Sequence, residues 1–151
     1  MIRSRRYSFL CLAALQASCV LGPGTSYVAD LQQPEDAEVL ADGMAGFVAL
    51  RLPAASSTVA LDPTLVGQAG NALTPALAAA LRHRGFAVAE SGQVPEGAHR
   101  LRYLVTPLDS GDLVRLTLDG TTEGSRLFVR NTAGGLQSGG PFTVTQAATA
   151  P

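Results

Sequence analysis

Arg100-Leu101-Arg102-Tyr103-Leu104-Val105, Leu113-Val114-Arg115-Leu116-Thr117-Leu118 and Ser125-Arg126-Leu127-Phe128-Val129-Arg130 are three short alternations of apolar and polar residues that follow one another along the chain. A period of two marks a half-buried strand, because successive side chains leave the backbone on opposite faces. Asp109-Ser110-Gly111-Asp112 separates the first run from the second and Asp119-Gly120 the second from the third. Asn131-Thr132-Ala133-Gly134-Gly135 closes the third run. Asp, Ser and Gly supply the side-chain hydrogen bonds and the permissive backbone that tight turns require. The pattern predicts an antiparallel meander with one buried face, from which Arg100, Arg102, Arg115 and Thr117 point away. The run 125–130 falls near the end of this sheet. If it is the edge, its backbone is free to pair with a partner strand, and Leu127, Phe128 and Val129 become the candidate docking residues. The alternative is an ordinary core strand with charged ends.

Working back from the meander, Phe86-Ala87-Val88-Ala89 and Ser57-Thr58-Val59-Ala60-Leu61 read as two further strands. Between them, residues 64–84 carry Val66, Ala69, Gly70, Leu73, Leu77, Ala80 and Leu81 at helical spacing, with Arg82 and Arg84 in the last turn and Gly85 as the stop. Pro75 bends or splits this helix, or else opens a shorter one capped by Thr74. Strand–helix–strand order predicts that the two strands lie parallel, joined by a right-handed crossover. Upstream, Pro34-Glu35-Asp36-Ala37-Glu38 places acids where the helix dipole favours them, and Val39, Leu40, Met44, Phe47, Val48 and Leu50 continue a helix over 34–52. Phe142-Thr143-Val144-Thr145 is a further short strand. The fold class expected is α+β: a strand–helix–strand unit, then an antiparallel meander, with helices packed on one face of a small mixed sheet. The domain spans 35–146, followed by a tail at 147–151.

The N-terminus has a different grammar. Arg3, Arg5 and Arg6 precede the apolar run Tyr7-Ser8-Phe9-Leu10-Cys11-Leu12-Ala13-Ala14-Leu15, and small residues Ala17-Ser18 lead to Cys19. Charge, short greasy run and small residues in that order are the layout of an export signal, too short to serve as a transmembrane anchor. A cysteine placed directly after Ala-Ser is expected to be the site of cleavage, between Ser18 and Cys19, and of lipid attachment at Cys19. Residues 1–18 are then a lipoprotein signal peptide and 19–34 a tether rich in Gly, Pro and polar residues. Gln16 stands where an aliphatic residue is usual in such signals. The alternative is an ordinary signal peptide cut after Ala17 or near Gly24. Val20 follows the cysteine instead of an aspartate, which by resemblance to bacterial lipoproteins implies the outer membrane.

Composition narrows the function. All eleven basic residues are arginine, three lie in the leader, and the remaining eight face twelve acids, so the mature domain has a net charge near −4. An acidic domain without a basic stripe is a poor nucleic-acid binder, because phosphate contacts supply most of that affinity. Of the two cysteines, Cys11 lies in the leader, which leaves no disulfide and no thiolate metal site. His83 and His99 lack a second ligand at metal spacing and read as surface residues. No serine sits in a Gly-x-Ser-x-Gly elbow. Asp109 and Asp112 read as turn residues rather than a catalytic carboxylate pair. Gly67-Gln68-Ala69-Gly70 is neither a dinucleotide fingerprint nor a phosphate loop, and reads as close helix packing. The residues thus predict a non-enzymatic chain with no cofactor, no metal and no small-molecule substrate.

One family shares this order of motifs. Leu40-Ala41-Asp42-Gly43-Met44, Thr58-Val59-Ala60-Leu61, Gly70-Asn71-Ala72-Leu73, Ala76-Leu77-Ala78-Ala79-Ala80-Leu81, Gly85-Phe86-Ala87-Val88, Tyr103-Leu104-Val105-Thr106-Pro107-Leu108 and Phe142-Thr143-Val144-Thr145, behind a lipoprotein leader, resemble the TrbH family. The resemblance spans about residues 36–146. It implies a structural lipoprotein of a conjugative type IV secretion (mating-pair formation) channel, at the periplasmic face of the outer membrane, with other channel proteins as partners and the membrane held through lipid. It supplies no catalytic residues. A periplasmic ligand- or peptidoglycan-binding lipoprotein unrelated to conjugation is the other reading of the same surface.

Overall fold

The computed structural model describes residues 24–65, 71–89 and 92–146. Two helices, α1 (Asp36–Ala49) and α2 (Leu73–His83), pack on one face of a mixed sheet. Its strands are β1 (Tyr27–Val28), β2 (Thr58–Leu61), β3 (Ala87–Val88), β4 (His99–Leu108), β5 (Gly111–Leu118), β6 (Thr122–Arg130), β7 (Leu136–Ser138) and β8 (Thr143–Gln146). The architecture is α+β, as the pattern predicted. β2 and β3 run parallel on either side of α2 in the chain, and β4, β5 and β6 form the antiparallel meander. The β5–β6 turn shows its chemistry directly: Asp119 (φ 53°) and Gly120 (φ 71°) both adopt the left-handed backbone that Asp-Gly turns favour.

Two long strands organise the sheet, whose main order is β3-β2-β4-β5-β6-β7. The free side of β4 is shared: β2 pairs with residues 99–101 and β1 with Leu104 and Val105, both in parallel. Between them the Tyr103 N–H donates to Ser26 Oγ at 3.3 Å, so a side chain bridges the gap in the ladder. Residues 26–28 therefore belong to the sheet rather than to a tether, with Ser26 and Val28 buried and Ser26 also bridged to Thr64. The far side of β6 is shared in the same way, by β8 on residues 122–125 and β7 on residues 128–130.

The expected long helix over 64–84 is shorter. Thr64 lies in its bridge with Ser26, and the helix begins at Leu73. Pro75 sits in its first turn, where backbone N–H groups have no intrahelical acceptor to lose, so it neither bends nor splits the helix. Asn71 Oδ1 accepts from both the Thr74 N–H and hydroxyl at 2.9 Å, which supplies the cap expected of Thr74. The motif 67–70, Val66, the leader with Ser18 and Cys19, and the tail 147–151 lie outside the described residues.

Leu40, Met44, Phe47 and Val48 of α1 and Leu73, Leu77 and Leu81 of α2 close onto Leu101, Tyr103, Val105, Val114, Leu116 and Phe128 of the sheet. Two glycines set the approach of α1. A Cβ on Gly43 would lie 2.6 Å from the Phe128 ring, and one on Gly124 only 2.2 Å from the Phe47 ring. Each thereby makes room for an aromatic ring of the opposing layer.

Candidate functional site

β6 is not the edge of the sheet. Phe128 is buried against α1, while Leu127 and Val129 stand half-buried on the face away from the helices. Val129 pairs with Gln137 of β7, and the Leu127 carbonyl accepts from the Gly139 N–H at 2.9 Å. The docking role expected of Leu127, Phe128 and Val129 as a free edge is corrected by this pairing. A nine-residue strand carries two short partners, and β7, three residues long, has no apolar alternation that would announce it.

The edge lies one strand further out. Thr143, Val144, Thr145 and Gln146 of β8 are all exposed, and among the described residues the strand pairs only with β6. A cavity flanks it on each face. On the helix side, about 460 Å³ is lined by Leu50, Arg51, Leu52, Leu118, Asp119, Thr122, Val144 and Gln146. Arg51 stacks over the Phe47 ring at 3.5 Å, and burial lowers its pKa from the ordinary arginine value. On the opposite face, about 430 Å³ is lined by Arg102, Arg115, Glu123, Ser125, Thr143 and Thr145. Arg102 and Arg115 point to this face as the alternation predicted. Thr117 shares it but is buried, its hydroxyl oxygen accepting from the Arg102 guanidinium at 3.2 Å.

A second polar feature ties α1 to the meander. Asp36, at the first turn of α1, accepts from Arg130 at 2.6 and 3.3 Å and from the Gln33 N–H at 3.1 Å. Asp112 is buried 3.5 Å from the same guanidinium, and its Oδ2 accepts no hydrogen bond from a described residue. Burial raises the Asp112 pKa above the ordinary carboxylate value, against the lowering pull of Arg130 and with a further push from Asp36. The hydrogen bond to Asp36 holds the Arg130 pKa up. Asp112 is thus a buried member of an ion cluster and not a solvated turn residue, because the turn is the two-residue link Asp109-Ser110 and Asp112 already belongs to β5.

The remaining polar candidates are dispersed. His83 is exposed at the end of α2. His99 pairs with Asp119 at 2.7 Å, where the carboxylate also accepts from the Arg100 N–H at 2.9 Å, closing the strand ends across the hairpin. The Arg100 guanidinium in turn grips the buried Asp62 at 2.7 and 3.0 Å. Arg84 bridges the helices to Asp42 at 2.6 Å. Among the described residues no group of three His, Cys, Asp or Glu side chains is arranged to hold a metal ion, and no helix is long and apolar enough to cross a membrane. Among the described residues, the outer edge of β8 is one strand edge open to a partner, with a cavity on each face.

Comparison with known proteins agrees with the order of motifs. No curated protein and no solved structure matches the chain. The family model for the conjugal transfer protein TrbH matches residues 21–148, which takes in every element from β1 to β8. The chain belongs to the TrbH family of conjugal transfer proteins.

Proposed function

We propose that this protein is a lipid-anchored structural component of the conjugative mating-pair channel. Its lipidated Cys19 holds it at the periplasmic face of the outer membrane, and it acts there through contacts with other channel proteins. Membership of a conjugal transfer family is the observation that carries the reading. The leader of arginines, apolar run and Ala17-Ser18-Cys19 supports the anchor. More than one acyl chain exceeds the marginal membrane binding of a single chain, so the anchor needs no transmembrane helix. The acidic domain supports a role in the channel wall rather than on the transferred DNA. On this reading the protein is not an enzyme, and it takes no cofactor or small-molecule substrate.

The test is Cys19→Ser in the intact transfer system. Palmitate labelling should vanish, the protein should leave the outer-membrane fraction, and transfer frequency should fall. If membrane attachment and transfer are both unchanged, the anchored role is wrong. A retained Met1 on the native protein would also refute export.

A further inference from the structure

Adding a strand to a sheet requires a free row of backbone groups, space on both faces for alternating side chains, and chemistry that favours one pattern over another. β8 supplies all three. Its residues are uncharged and β-branched up to Gln146, without the lysine or proline that natural edges use to repel additional strands. Val144 and Gln146 reach the helix-side cavity, while Thr143 and Thr145 reach the opposite one.

The helix-side cavity sets exposed apolar side chains beside one arginine and one aspartate, Arg51 and Asp119, whereas the opposite one carries a surplus of arginine. On the helix side stand Leu50, the most exposed of the large apolar side chains described at 85 %, and Val144 at 44 %. Both line the same cavity. On the other side Arg102 and Arg115 outnumber the single Glu123. A strand laid along β8 would send alternate residues toward these two environments, apolar ones to Leu50 and Val144 and acidic ones to the arginines.

We propose that the free edge of β8 takes up an extended segment of a partner protein in which apolar residues alternate with aspartate or glutamate. The assignment of that partner to the transfer apparatus rests on the function proposed above; the binding chemistry does not. A second copy of this chain fits less well. A four-residue strand spans about 14 Å, and two such edges paired would fall well short of the roughly 1,600 Å² buried in a stable dimer.

The probe is the synthetic peptide Val-Asp-Val-Glu-Val-Asp, titrated into the purified full chain in detergent and read by fluorescence anisotropy. Its control is the same six residues in blocks, Val-Val-Val-Asp-Glu-Asp. The alternating peptide should bind at least about tenfold more tightly than the blocked one and should slow hydrogen exchange at residues 143–146. Arg115→Glu should weaken that peptide and favour Val-Lys-Val-Lys-Val-Lys, and Leu50→Asp should weaken both. These two exposed positions lie on opposite faces of the sheet, so dependence on both is the signature of a strand between them. Equal affinity for the two acidic peptides, unchanged exchange at 143–146, or self-association through β8 in sedimentation would overturn the proposal. If the peptide fails while Cys19→Ser still abolishes transfer, the dock is wrong and the anchored function stands. Peptide binding with Cys19→Ser silent gives the converse.

Discussion

Replacing Asp112 by asparagine separates the two carboxylates that face Arg130. Asp36 makes the close contacts, 2.6 and 3.3 Å to the guanidinium, and also receives the Gln33 N–H at the start of α1. Asp112 stands off at 3.5 Å, with one oxygen lacking a hydrogen-bond donor. Arg130 is thus neutralised by Asp36, and an ionised Asp112 adds a buried negative charge that neither Arg130 nor a donor fully compensates. A buried charged group left without a partner costs about 1–3 kcal/mol or more. Removing one partner of a satisfied buried pair costs about 3–5 kcal/mol. Asp36→Asn should therefore lose a few kcal/mol at neutral pH, moderated because Asp112 remains to face Arg130. Asp112→Asn, nearly isosteric, should be neutral or stabilising by about 1 kcal/mol. The pH dependence supplies a second reading. The native Asp112 pKa is raised, so the native chain holds this proton more tightly than the unfolded chain. The stability this contributes is complete below the unfolded carboxylate pKa and is lost as pH rises through the native one. The advantage of Asp112→Asn over the parent should accordingly grow from acid pH toward pH 7. Urea unfolding of the parent and both variants at several pH values measures this. A loss for Asp112→Asn as large as that for Asp36→Asn would refute the reasoning.

Two further substitutions test the helix–sheet contact. Gly124→Ala places a methyl group 2.2 Å from the Phe47 ring, which is itself pinned by Arg51 and by Phe142 at 4.9 Å; overpacking should cost about 1–3 kcal/mol, recovered in part by adding Phe47→Leu. An unchanged urea midpoint would show that α1 slides freely. The Thr74 hydroxyl gives its proton to Asn71, so Tyr103 donates to Thr74 at 2.7 Å, and Tyr103→Phe should lower stability by about 1 kcal/mol without moving any strand, as judged by melting and amide spectra.

The meander was legible because its signals are local. Asp119-Gly120 specifies a turn by its own backbone preference, and Leu101, Tyr103 and Val105 declare the buried face by alternation alone. Non-local pairing was not legible. Nothing in Tyr27-Val28 reveals that it lies beside Leu104 and Val105, since a two-residue strand has no period to detect. The division of β6 between β7 and β8 was hidden because the strand at 143–146, though readable by itself, carries no signal of which neighbour it pairs with, and it moved the docking edge from residues 127–129 to 143–146. The apolar flank did leave a trace. At 100° per residue, Leu50 lies roughly 100° from the centre of the Leu40, Met44, Phe47 and Val48 stripe, so it could not share their buried face. Asp112 left none, because a turn-flanking aspartate reads the same whether Arg130 lies beside it or water does.

The positions of the first and last strands bear on how an anchored domain presents its edge. β1 joins the sheet beside β4, and β8 joins it beside β6, with β5 between the two long strands. Four strand spacings of about 4.8 Å separate β1 from β8, or about 19 Å across the sheet. On the proposed anchored reading, the chain from Cys19 is received at one margin of the meander, while β8 presents its outer backbone at the other. The parallel bridging of Ser26 to Thr64 and of β1 to β4 fixes that entry against the sheet rather than leaving it to swing across the open edge. Sharing β4 between two short strands covers residues 99–101 and 104–105 on one side of the meander. Sharing β6 covers its second side but leaves the outer backbone of β8 exposed, and it is there, between Leu50 on one face and Arg115 on the other, that the proposed partner strand would lie.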